Sequence, residues 1–442
     1  MEHFVNIKTL FIKGDERSIE SLALIYKDHE RLKKTITEVS GKWLDKELIE
    51  GKRILLKPNW VKHNSLPDDD ICLRTNDGFL VAALEVILSK KPKQVTIGDA
   101  PLQGCHWDKM ISNSLISAVK NLSKKHNIPV NIKDFRRVTF DPSQNNPVRE
   151  RNPIDDYLIF DVGPESFLEP LSLVNKNPFR VTYYNPDKLA ETHKPGVHKY
   201  CITKEIFNAD VIISLPKVKT HQKAGITAAL KNLVGVNGDK DYLPHHRLGG
   251  TGFGGDCYPG RNFLRYVAEL ILDKANRNQG NWKYKLFYRF SSLIWRLSWP
   301  GKEHYLGAGW FGNDTTWRMV LDLNIIAEYG TPDGKIAKEP QRTLYSLCDG
   351  IIGGQGDGPL KPQPHPLGLV SFTNQSGMND IAMATLMGFD PKRIPLLVNA
   401  LKLVSAKNVK IILNNEEISI DSLPGLSIKT NPPPGWEKHL NS

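Results

Sequence analysis

The sequence contains no Cys-x-x-Cys pair, and its five cysteines, Cys72, Cys105, Cys201, Cys257 and Cys348, are scattered and odd in number. That argues against an iron–sulfur cluster or zinc ribbon held by local spacing, and against a disulfide framework. Reduced thiols in a cytoplasmic protein are expected. No apolar run approaches the ~18–20 residues that span a bilayer. The first residues, Met1-Glu-His-Phe-Val-Asn-Ile7, lack the basic-then-apolar order of a signal peptide. Also missing are a Gly-x-Ser-x-Gly elbow, a glycine loop ending in Gly-Lys-Ser/Thr, and any internal repeat.

What is present is a chain of 442 residues, 40% hydrophobic and 24% charged. It is long enough for two or three domains, or for one large α/β core with insertions. Lys plus Arg number 59 against 48 Asp plus Glu, a net charge of +11. That excess favours anionic partners without choosing among them.

Short apolar runs alternate with helical spacing. Strands are expected at 53–57, 94–98, 129–133, 210–215 and 368–373, and helices at 77–88, 109–125, 224–234, 315–329, 379–387 and 391–404. The pattern predicts an α/β fold, a mostly parallel sheet with helices on both faces and irregular inserted segments. Residues 1–50 read as an N-terminal extension. The α/β core takes 51–137 and 201–236. An insertion or cap covers 138–200, and an irregular insertion with an amphipathic helix covers 237–312. The C-terminal part of the core runs over 313–405, with a tail at 406–442.

The segment Leu215-Pro-Lys-Val-Lys-Thr-His221 follows a buried apolar run and precedes an expected helix. In an open parallel sheet, ligands bind at such strand ends, and a helix N-terminus adds donors for an anion. Lys217, Lys219 and His221 at alternate positions would point the same way in extended chain. Lys57 and Asn59, in Lys57-Pro-Asn-Trp60, end another strand in the same manner, and so does Asp99. Lys57, Lys217 and Lys219 are expected to hold the anion, with Lys231 and Asn232 in the following helix beside them. His221 is the expected acid or base, and Lys219 and Asp99 complete the catalytic set. The glycines of Gly353-Gly-Gln-Gly-Asp-Gly-Pro359, Gly356 and Gly358 among them, would bring backbone amides to the ligand. A divalent metal would fall to His245, His246, Asp256 and Asp357, although their spacing fits no established motif.

The stretch WKYKLFYRFSSLIWRLSW, residues 282–299, is aromatic and basic at once. It offers two alternatives to an enzyme of anionic small molecules. One is nucleic-acid binding, against which no reader fold is recognisable and the charge is not in one block. The other is a peripheral membrane or scaffold contact through an interfacial helix. Packing of this helix on its own protein is the plainer expectation.

Lys57-Pro-Asn-Trp60, Gly98-Asp-Ala-Pro101, Leu215 to His221, Ala229-Leu-Lys-Asn-Leu-Val-Gly235, Asp349-Gly-Ile-Ile-Gly353, Gly356-Asp-Gly-Pro359 and Leu386-Met-Gly-Phe-Asp390 occur in this order. Together they resemble the domain-of-unknown-function family 362, from about residue 50 to 400. Many members of that family carry a ferredoxin-like cysteine cluster, which this chain lacks, so the resemblance implies no electron-transfer role here. A looser similarity of layout to lactate-racemase-like nickel enzymes, which also use Lys and His around an α/β cleft, rests on fold-level analogy.

Overall fold

The computed structural model describes residues 2–10, 18–65, 70–141, 148–174, 177–298, 307–403 and 409–440. Its main sheet has twelve strands. They are β1 (His3–Thr9), β2 (Arg53–Pro58), β3 (Gln94–Asp99), β4 (Val130–Asp134), β5 (Val211–Leu215), β6 (Lys217–His221), β7 (Gly225–Thr227), β8 (Thr343–Gln355), β9 (Gln363–His365), β10 (Leu369–Thr373), β11 (Val409–Leu413) and β12 (Glu416–Ile418). The order across the sheet is β12-β11-β1-β10-β8-β5-β2-β3-β4. From β8 to β4 every pair is parallel. β10 runs antiparallel between β8 and β1.

The fold is α/β, with a large, mostly parallel sheet and helices on both faces. Alternate residues of one strand serve opposite cores, as the pleat requires. Ile54 and Leu56 join the core packed by α1 (His29–Ser40), α2 (Asp77–Leu88) and α3 (Asn113–His126). Leu55 joins the other, packed by α7 (Thr316–Tyr329), α8 (Ser376–Leu386) and α9 (Pro395–Leu401). Between these in the chain lie α4 (Ala229–Asn232), α5 (Phe263–Asn276) and α6 (Trp282–Leu297).

The two ends of the chain differ from their expected roles. Residues 1–50 are no mere extension, because β1 pairs with both β10 and β11 and buries Phe4, Val5 and Ile7. Residues 406–442 likewise bring β11 and β12 to the sheet, and Trp436 is buried. Three-to-four-residue apolar runs such as Phe4-Val-Asn-Ile7 are too short to declare themselves as strands before their partners are known. The described residues of 138–200 and 237–312 supply no strand of the main sheet; 157–161, 193–194 and 197–203 form a small sheet of their own, with 197–203 running on past residue 200. Val404, at the end of one expected helix, and Trp299 lie outside the described residues.

The expected helix at 224–234 is also corrected. After β5, Pro216 turns the chain straight into β6, which pairs in parallel with β8 and forms a hairpin with β7. Only four residues, α4, are then α-helical, followed by a 3₁₀ turn at Leu233–Val236. The β-branched pair Ile226-Thr227 and Gly225, at φ +80°, favour the hairpin over a helix.

Candidate functional site

Strand ends gather the expected residues, but they divide into two groups. Lys57 ends β2 with its ammonium 2.8 Å from Asp99 Oδ1 at the end of β3. Asp99 also accepts the Trp60 and Ala100 amides, at 2.7 and 2.9 Å. Asn232 of α4 closes this corner. Its amide group donates to Lys57 O and Ser214 Oγ, and its oxygen accepts from Asn59 Nδ2 at 3.0 Å. Burial pushes the Lys57 ammonium down, and Asp99 partly restores it. Asp99 is thus held as a counter-ion rather than poised as a free base. Asn59 Oδ1 is buried and has no partner.

Lys217 belongs to the framework, which corrects its expected role as an anion ligand. Its side chain is fully buried and donates to Asp349 Oδ2 at 2.7 Å, to Tyr26 Oη at 2.9 Å and to Ile71 O at 3.0 Å. Those partners use all three of its protons.

The other cations have no such pairing. Among the described residues, Lys219 Nζ donates only to the carbonyls of Leu73 and Pro359. Lys240 Nζ donates to Ala100 O at 3.1 Å. Lys223 and Lys231 are half-buried, and their ammonium groups have neither carboxylate nor hydrogen-bond partner among the described residues. Burial, reinforced for three of the four by neighbouring lysines, pushes Lys219 and Lys231 down to about 7 and Lys223 and Lys240 to about 8. The charges of Lys231, Lys219 and Lys223 all bear on His221, which burial already drives well below the usual imidazole range. His245 is driven down likewise, first by burial and then by Lys223 and Lys231.

The charges acting among these side chains place them in one cationic cluster, recessed from the surface except where Lys223, Lys231 and His245 keep partial exposure. His221 Nδ1 accepts from the Lys223 amide at 3.1 Å, so its Nε2 carries the proton of the neutral ring and donates. His245 is the reverse. Its Nδ1 lies 2.6 Å from Leu243 O and must donate, leaving Nε2 as an acceptor. Thr227 Oγ1, across the hairpin from Lys219, is buried without a partner. Proton donor, acceptor and ammonium groups thus meet in one cluster whose acids, Asp99 and Asp256, are already hydrogen-bonded to other groups. Such a surface is suited to an anion.

The glycine loop does not present the amides expected of it. Gly356 N donates to Asn431 O and Gly358 N to Gly356 O. Gly358 is small for another reason: a side chain there would run into Thr220 of β6. Asp357, in the same loop, accepts from Gln222 Nε2 at 2.6 Å.

His245, His246, Asp256 and Asp357 do not come together as metal ligands. Asp256 is occupied by the Arg247 and Asp314 amides and the Thr315 hydroxyl. The histidines are neighbours on a backbone that turns them toward different partners. His246 instead meets Cys257 and Glu269, their ligand atoms all within 4.8 Å and all three residues buried. His246 Nδ1 has no hydrogen-bond partner. A second group of three, His29, Glu30 and Glu85, is partly exposed and carries an ion pair to Lys125. The histidine–cysteine–carboxylate set is the donor chemistry of a zinc-type ion.

Two recess residues escaped the sequence reading. Lys223 continues the alternation of Lys219 and His221, and that spacing could have revealed it. Lys240, in Gly-Asp-Lys-Asp-Tyr, carries no local signal.

Residues 171–385 match the family model described as Domain of unknown function (DUF362). This segment is a DUF362 domain. It contains β5 to β8 and every recess residue from Lys219 to His245, whereas Lys57 and Asp99 come from outside the match. No curated protein matches the chain. The crystal structure of a protein from Thermotoga maritima is similar at TM-score 0.35 and 7% identity, covering 79% of this chain and 56% of that one. The lactate racemase apoprotein from Thermoanaerobacterium thermosaccharolyticum is similar at TM-score 0.27 and 10% identity, covering 84% and 54%. The chain thus spans about half the length of each.

Proposed function

We propose that this chain is an enzyme that binds a phosphate- or carboxylate-bearing small molecule in the cationic recess. One observation carries the reading. Lys219, Lys223, Lys231 and Lys240 gather with His221 and His245, while Asp99, the acid that bears on Lys219, Lys231 and Lys240, is already paired with Lys57. A cluster of buried like charges is costly unless a counter-ion completes it. Perturbed titration in a recess is also the common signature of a working site. Lys219 and Lys231, near 7, are suited to exchange a proton with bound ligand at neutral pH.

Thermal unfolding of the purified chain with inorganic phosphate, pyrophosphate, nucleotides, sugar phosphates and dicarboxylates tests this. At least one should raise Tm, and Lys231→Met should abolish the shift while still folding. A panel without effect on the wild-type chain overturns the reading.

The His246–Cys257–Glu269 group favours a metal-assisted form of the same proposal. Elemental analysis of purified chain should then find a stoichiometric transition metal that Cys257→Ala removes. Equal metal content in the two proteins would reject it.

A further inference from the structure

Helix α6, Trp282–Leu297, pairs with α5 as a hairpin. Its inner face is fixed. Ser291 Oγ donates to Ala268 O of α5 at 2.8 Å, and Trp295 is buried under the Arg265 guanidinium and against Tyr258. Its outer face is apolar and uncovered. Trp282 is 70% exposed, Leu286 39%, Phe290 52%, Leu293 53% and Leu297 71%. At 100° per residue these five fall within about 80° of arc, a single stripe. Phe263, 69% exposed at the start of α5, extends the stripe at the Leu297 end, where Asn262 Nδ2 donates to Ser298 O.

The charges are arranged about that stripe. Lys283 borders one edge, and Lys285, Arg289 and Arg296 border the other, by the same helical geometry. No acid occurs between Trp282 and Leu297. Large apolar residues left in water along one face mark an interaction surface. A central apolar stripe with basic edges is the pattern of a helix lying in a bilayer interface.

We infer that the α5–α6 hairpin docks this chain on an anionic membrane surface, with the Trp282–Leu297 stripe among the acyl chains and the basic edges on lipid phosphates. No described helix is long and apolar enough to cross a membrane, so the helix would lie along the surface. Two other occupants fit less well. A second copy seated face to face would oppose four like charges. A nucleic acid would engage the basic edges but leave the leucines and tryptophan in water.

The test is sedimentation of the full chain with phosphatidylcholine vesicles, with and without phosphatidylglycerol. Anionic vesicles should bind on the order of tenfold or more better than neutral ones, given the worth of each basic residue at such a surface. Leu286→Asp with Leu293→Asp should abolish binding at unchanged circular dichroism and Tm. Lys285→Glu with Arg289→Glu should erase the preference for anionic lipid. The inference is overturned if wild-type chain ignores anionic vesicles, or if the leucine variant still binds them. It is also overturned if that variant instead dissociates an oligomer, or if short RNA competes the chain off the vesicles through the leucines. None of these outcomes depends on a ligand in the lysine recess.

Discussion

Lys217 Nζ lies 2.7 Å from Asp349 Oδ2, with neither side chain exposed, and the Tyr26 hydroxyl joins them by donating to Asp349 Oδ1 at 2.6 Å. Two residues along the same strand, Lys219 forms no ion pair with a carboxylate among the described residues. One lysine is framework and the other is site, although the sequence presents them as a matched pair. Lys217→Met should leave a buried carboxylate without its cation and cost about 3–5 kcal/mol. Urea denaturation measures this, and an unchanged midpoint would contradict the assignment.

Lys219 should show the opposite behaviour with pH. Its folded value is about 7 against an ordinary 10.5, because burial disfavours the ammonium. Between those values the unfolded chain holds more protons, so this group makes stability rise with pH across the window. Below about 7 the residue is charged in both states and its penalty is fully present. Lys219→Met should therefore be more stable than wild type at the lower end of the window and lose the advantage toward the upper end. Parallel stability profiles for the two proteins would show that Lys219 is not depressed.

Anion binding should run the other way. As pH rises through about 7 and then 8, Lys219, Lys231, Lys223 and Lys240 lose charge in turn. Sulfate, whose own charge is constant in this range, should bind more weakly at each step, and its binding near the midpoint should take up protons. Calorimetry in buffers of different ionisation enthalpy measures that uptake. Affinity for sulfate independent of pH would remove the lysines from the site.

Most of the parallel core was legible because β2, β3, β5 and their helices carry strong local patterns, each ending at Pro58, Asp99 or Pro216, but β8 was not, because its glycines read as a loop. β1, β11 and β12 were not, since their pairing depends on partners hundreds of residues away, as in Val5 opposite Thr373. The recess was half legible. Alternation revealed Lys219 and His221, but nothing local separates Lys217 from them. Its partners, Asp349 and Tyr26, come from distant elements. The ligand set of His246 was hidden for the same reason, with Glu269 supplied by α5, inside a stretch expected to be irregular.

Gly235 lies directly over the Lys57–Asp99 pair. A Cβ there would run into Asp99 Oδ1 and approach Lys57 Nζ to 2.8 Å. Both atoms are hydrogen-bonded and buried, so neither can swing away into solvent. Gly235→Ala must then separate the pair or shift the 3₁₀ turn that follows α4, and overpacking of this kind costs about 1–3 kcal/mol. Because Asn232, the residue just before that turn, links Lys57 to Asn59, the shift should also displace Lys231 at the recess. Gly235→Ala is expected to lower Tm and to weaken sulfate binding together. Lys231→Met should weaken binding without the loss of Tm. A Gly235→Ala protein with wild-type stability and sulfate affinity would mean that the Lys57–Asp99 corner does not support the recess.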